Sequence, residues 1–93
     1  MSIWPLGIYR VAGDSMLPTY QPGDTLLGLR WFTSRPGQVV VAIESGRPVI
    51  KRIVSIEDTA ITLAGDNPAA STDSRHFGPV HKKQLEAKIL VKI

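Results

Sequence analysis

Glycine and proline punctuate this chain at short intervals, and between them lie short runs rich in β-branched residues. Pro22-Gly23, Pro36-Gly37, Gly46 with Pro48, Gly65 with Asn67-Pro68, and Gly78-Pro79 follow one another too closely for long helices. Short segments bounded by turn formers and carrying Val, Ile, Leu and Thr read as strands. The pattern predicts a mostly β fold of short antiparallel strands with little helix, over residues 8–11, 24–29, 38–44, 48–57, 60–64 and 87–92. Glu44-Ser45-Gly46-Arg47-Pro48 reads as a hairpin loop, and Glu57-Asp58-Thr59-Ala60 as a tight turn. Single helical turns are expected at Met16–Tyr20 and Lys82–Leu85.

The 93 residues suffice for one domain, taken as 1–93. A hydrophobic share of 43% and a charged share of 20% are those of an ordinary globular chain, so one modest core is expected. The net charge is +3, and only Lys51-Arg52 and Lys82-Lys83 are adjacent cations. So thin and scattered an excess is a weak nucleic-acid signal, and no nucleic-acid partner is expected. There is no cysteine, which removes disulfides, thiolate catalysis and cysteine-based metal sites and fits a reducing compartment. The longest apolar run, Val39 to Ile43, falls far short of the ~20 residues that span a bilayer. The N-terminus lacks a basic stretch followed by an apolar one. The expectation is a cytoplasmic protein with no integral membrane segment.

Three segments carry chemistry. The first is Gly13-Asp14-Ser15-Met16-Leu17-Pro18-Thr19, a loop between two expected strands. Gly13 lets the backbone turn without a Cβ cost, and Pro18 denies regular structure beyond it. A serine on such a loop, among backbone N–H groups, is placed as a nucleophile needs to be. An ordinary turn built from Gly, Asp, Ser and Pro fits this stretch alone equally well.

The second is Val49-Ile50-Lys51-Arg52-Ile53, in the longest expected strand. Alternation puts Val49, Lys51, Ile53 and Ser55 on one face and Ile50, Arg52, Val54 and Ile56 on the other. Each face has a single cation among apolar neighbours, an unusual setting for a charge. The ordinary alternative is a Lys-Arg pair snorkelling from an edge strand. The third segment, Gly65 to Gly78, is a polar loop, long for so small a domain. Asp66 and Asn67 invite an Asx turn. The spacing of Asp66, Asn67 and Asp73 does not match a calcium loop, and Pro68 stands where such a loop needs a ligand, so neither metal nor cofactor is expected.

A serine nucleophile needs a base, and Lys51, His76, His81 and the carboxylates are available. A Ser-His-Asp triad drawn from Ser15, His76 or His81, and Asp66 or Asp73 has no support from spacing. A Ser15–Lys51 dyad uses the oddly placed lysine. A free lysine, with a pKa of ~10.4, is neutral in about one molecule in 10³ at pH 7.4. A working base must titrate at roughly 7–8, and full burial can lower a lysine by about that much. Arginine cannot follow it there.

Gly13-Asp14-Ser15-Met16-Leu17-Pro18-Thr19 with Pro22-Gly23-Asp24, then Lys51-Arg52-Ile53, then Gly65-Asp66-Asn67 with Ser71-Thr72-Asp73-Ser74-Arg75 and Phe77-Gly78-Pro79-Val80, in this order, resemble the three boxes of type I signal peptidases. The resemblance spans roughly residues 9 to 90 and extends, more distantly, to the self-cleaving domain of SOS-response repressors. It implies that compact β fold, with Ser15 as nucleophile and Lys51 as general base. It implies that Ser71 orients the lysine, that Met16 floors the site, and that the Ser15 N–H joins the oxyanion hole. It also makes Asp66, Asn67, Asp73 and Arg75 structural loop residues, with Arg52 the partner of Asp73. Where some members complete the oxyanion hole with a serine two residues before the nucleophile, this chain has Gly13.

Two departures narrow the resemblance. The family's transmembrane anchor is absent from this sequence, and the third box reads Asn67-Pro68-Ala69-Ala70-Ser71. Both features are similar to the proteases that mature nickel-type superoxide dismutase by removing a short N-terminal leader. The implied partner is then the precursor of that dismutase. The alternatives are a signal-peptidase-like enzyme trimming exported precursors and, from another class, a non-catalytic β module that binds nucleic acid or a protein.

Overall fold

Seven strands make one sheet in the computed structural model, which describes residues 5–70 and 78–93. They are β1 (Leu6–Arg10), β2 (Thr25–Leu29), β3 (Val39–Glu44), β4 (Arg47–Glu57), β5 (Ala60–Ala64), β6 (Val80–His81) and β7 (Leu85–Lys92). The order across the sheet is β1-β2-β7-β3-β4-β5-β6, and every neighbouring pair is antiparallel. Among the described residues, helix is limited to 3-10 turns at Pro68–Ala70 and Lys82–Gln84. The mostly β expectation holds in full.

Details differ for local reasons. The expected hairpin loop at 44–48 contracts to Ser45-Gly46, both with positive φ (52° and 77°), while Glu44 and Ile43 already pair with Arg47 and Pro48. Two left-handed residues give the tight turn whose twist matches a hairpin. The helical turn expected at Met16–Tyr20 is a single one: the Tyr20 N–H donates to Met16 O, four residues back, at 3.0 Å, the Leu17 N–H closes the preceding turn on Asp14 O at 3.2 Å, and Pro18 has no N–H to extend either into a helix.

β3 is the axis of the core. Val39 and Val41 join Val11, Met16, Leu26 and Ile89 in one buried cluster, with Tyr9 and Ile50 against it. Val40 and Ala42 join Ile53, Ile61, Leu63 and Val80 in another. A strand covered on both faces is an unbroken apolar run, and Val39–Ala42 is one. The first cluster collects side chains from β1 and its extension, β2, β7, β3 and β4, so these five strands curl round it. Register shifts in β2–β7, β3–β7 and β4–β5 assist the curl.

The shift in β4, between Ile53 and Ser55, also corrects the expected faces. Strict alternation puts Ser55 with Ile53 and Ile56 with Ile50. Instead Val54 is extruded and 55% exposed, and Ile56 packs in the cluster that holds Ile53. One extra residue shifts the pleat by one.

Candidate active site

Lys51 is the single buried charged or polar residue among those described, 5% exposed. It lies opposite Val40 on β3, with Val49 and Ile53 on the same face of its own strand. Lys51 and Ser15 both line one cavity of about 170 Å³. Met16, 1% exposed, also lines that cavity and ties its wall into the core. Arg10 at the end of β1 with Val11 and Ala12 beyond it, and Pro48, Val49 and Ile50 from β4, complete its lining. Ser15 itself is half-buried.

The Ser15 loop is fastened from the third segment. The Asn67 N–H donates to Ser15 O at 2.8 Å, and Asn67 Nδ2 donates to Asp14 O at 3.1 Å. The Thr19 hydroxyl donates to Asp66 Oδ2. Asp66 in turn accepts from Arg52 Nε at 2.9 Å and Nη2 at 2.7 Å, while Arg52 Nη1 donates to Gly37 O at 2.7 Å. A planar guanidinium and a carboxylate in this fork geometry form a strong, directional pair. The Arg52 guanidinium and the Thr19 hydroxyl hold the Asp66 carboxyl below the usual carboxylate range, against the effect of its burial. The chain of contacts runs from Lys51's neighbour Arg52 through Asp66 and Asn67 to both flanks of Ser15, so three segments far apart in sequence meet around the Ser15 loop.

Among the described residues the carboxylate that pairs with Arg52 is Asp66. The expected Arg52–Asp73 pairing falls in the segment 71–77, outside the described residues, as do Ser71, Asp73, Arg75 and His76 with their expected roles. Gly13 takes φ of +75°, which glycine adopts without strain, and it is exposed beside the cavity instead of lining it.

Two of the alternative bases have other work. His81 lies on β6 at the far edge of the sheet; its Nδ1 accepts from the Lys83 N–H at 3.0 Å and caps the turn that follows. Asp66 is committed to Arg52 and Thr19. Among the described residues no cluster of His, Cys, Asp or Glu is suited to a metal ion, and no helix is long and apolar enough to cross a membrane.

Sequence reading missed Thr19 as a link and Arg10, Ala12 and Pro48 as cavity walls. Thr19 carries no signal beyond its place after the serine. The walls are set by where β1 ends and β5 stops, which no short motif encodes.

Among the described residues no strand pairs with the outer edge of either wall. Val11 spends its N–H on Asp24 O (2.9 Å) and its carbonyl on the Gly23 N–H (2.8 Å), so the peptide groups of Arg10 and Ala12 turn off the sheet edge. On the other wall β5 ends opposite Arg52, and among the described residues no strand pairs with Arg47–Lys51 on that side. A slot between two strand edges, lined also by Ser15 and the buried Lys51, is suited to an extended polypeptide.

Comparison with known proteins agrees with the all-β fold. A model of the family described as Peptidase S24-like matches residues 5–90. A mitochondrial ATP-independent inner membrane protease subunit 1a of Arabidopsis thaliana is 52% identical over 33 residues, 36% of this chain. That match covers 20% of the plant protein's length.

Proposed function

This chain belongs to the Peptidase S24-like family, and on that premise we propose that it is a serine endopeptidase in which Ser15 and Lys51 form the catalytic dyad. The observation that carries the reading is the shared cavity: Lys51, the one buried charged residue among those described, and Ser15 of the loop line it together. The neutral amine of Lys51 takes the Ser15 proton as Oγ attacks the scissile carbonyl. The resulting oxyanion is stabilised by the Ser15 N–H, and collapse expels the leaving amine, which takes the proton back from Lys51. An acyl-enzyme on Ser15 remains, and water activated by the same amine hydrolyses it. The peptide lies in the slot as an added strand between Arg10–Ala12 and Pro48–Ile50.

The substrate we propose is the precursor of nickel-type superoxide dismutase, from which a short N-terminal leader is removed. The support is the composition of the loop Asn67-Pro68-Ala69-Ala70-Ser71. The partial likeness to an inner membrane protease subunit favours a second reading, the trimming of exported precursors. Incubation of the purified protein with each precursor, followed by sequencing of the new N-termini, separates the two. Cleavage of the dismutase precursor at its leader junction is expected. Cleavage of the exported precursor alone transfers the function to the second reading.

A further inference from the structure

Along β4, peptide groups face β3 and the slot in alternation. The Ser45-Gly46 turn makes Glu44 and Arg47 a hydrogen-bonded pair, so Arg47, Val49 and Lys51 turn their N–H and C=O toward β3. Ile53 keeps the same sense: its N–H donates to Gln38 O and its carbonyl accepts from the Gly37 N–H, both at 2.8 Å. Pro48, Ile50 and Arg52 therefore turn theirs the other way. Arg52 is opposite Ala64, the last residue of β5, which leaves Ile50 and Pro48 facing the slot. Ile50 offers a donor and an acceptor. Pro48 offers a carbonyl and no donor, because its nitrogen carries no hydrogen.

We propose that Pro48 is the specificity-determining end of the slot: main-chain recognition of the substrate stops about three residues from the scissile bond, roughly 10 Å from Lys51 at ~3.3 Å per residue. This rests on the peptidase reading above and adds to it. A substrate N–H opposite Pro48 finds an acceptor, while a substrate carbonyl there finds none and stays in water, as the exposure of Pro48 allows. A longer paired segment gains little, so the fitting substrate class is a polypeptide with a short extended segment beside the cut. The plainer role of an edge proline is to block pairing with other chains, and that role leaves substrate length dependence untouched.

The test uses fluorogenic peptides spanning the leader junction of the dismutase precursor, with a parallel set from an exported precursor. Each is lengthened one residue at a time along the slot. With the wild-type protein, kcat/KM rises until the residue facing Ile50 is added and then levels off. With Pro48→Ala, which restores the donor, the next residue adds a further gain of about 2- to 10-fold, the worth of one hydrogen bond. A thioamide in place of the amide at each substrate position gives a measurement that needs no variant. It weakens the acceptor and keeps the N–H, and with the wild-type protein it lowers kcat/KM at the position whose carbonyl faces Ile50 and not at that facing Pro48. Identical length profiles for the two proteins, or an equal thioamide effect at both positions, overturn the role of Pro48. Absence of cleavage in every peptide, or equal cleavage by Ser15→Ala, overturns the peptidase reading and this inference with it.

Discussion

Arg52 grips Asp66 through two parallel hydrogen bonds, of 2.9 and 2.7 Å, and so couples the strand that carries Lys51 to the loop that carries Ser15. Neither residue touches the reacting atoms in the proposed mechanism. Their effect is geometric, since a nucleophile displaced by an ångström loses much of its advantage.

Replacing Arg52 by Lys keeps the charge and loses the fork. The pair is partly exposed, with side chains 36% and 16% accessible, so its direct worth to stability is about 1 kcal/mol. The expected outcome is a melting temperature lowered by a few degrees, with kcat/KM reduced about tenfold or more. Asp66→Asn does the same, and a double variant no worse than either single one, read by a mutant cycle, shows that the two act as a unit.

Acid sensitivity follows from the same pair. The carboxyl of Asp66 titrates lower in the folded protein than in the unfolded chain, with Arg52 the leading cause. A depressed acid contributes stability that is present above its unfolded value, about pH 4, and is lost as pH falls through the folded one. Thermal melts between pH 7 and 2.5 are expected to show an acid limb that is shallower in Asp66→Asn. Superimposable limbs for the two proteins contradict this.

Much of this architecture is legible in the chain. Turn formers mark β2 to β5 and β7 within two residues, because Gly and Pro have backbone limits that tertiary contacts seldom override. The run Val39–Ala42 announces a strand buried on both faces, and Lys51 stands out as a cation among aliphatics. What escapes has physical causes. The two-residue β6 is too short to show a period, and its pairing with β5 is decided by the fold around it. The displacement at Val54 breaks alternation without a Gly or Pro to mark it. The choice of Asp66 by Arg52 is a contact between β4 and the loop after β5, which residue types permit but do not select.

Gly13 tests the loop itself. Its φ of +75° disfavours any side chain, although a Cβ there meets nothing within 4 Å. Gly13→Ala therefore carries a backbone cost alone, about 1 kcal/mol. It is expected to lower stability by that amount in denaturant titration and to reduce kcat/KM further than stability accounts for, because the strain falls two residues from Ser15.

The proposed base makes a claim about pH. Only the neutral amine of Lys51 can accept the Ser15 proton, so kcat/KM rises with pH until that form predominates. Lys51→Arg, always charged, and Lys51→Met, without a base, are both expected to be inactive while remaining folded by circular dichroism. A Lys51→Met protein that retains the wild-type pH profile assigns the proton to another group.

The most direct measurement is the rate of leader cleavage by Ser15→Ala against wild type, with equal melting temperatures as the control for folding. Loss of the nucleophile is expected to reduce kcat/KM by about 10³-fold or more, with no acyl adduct visible by intact mass spectrometry after acid quenching. Cleavage by Ser15→Ala within tenfold of wild type, at the same bond, contradicts the account.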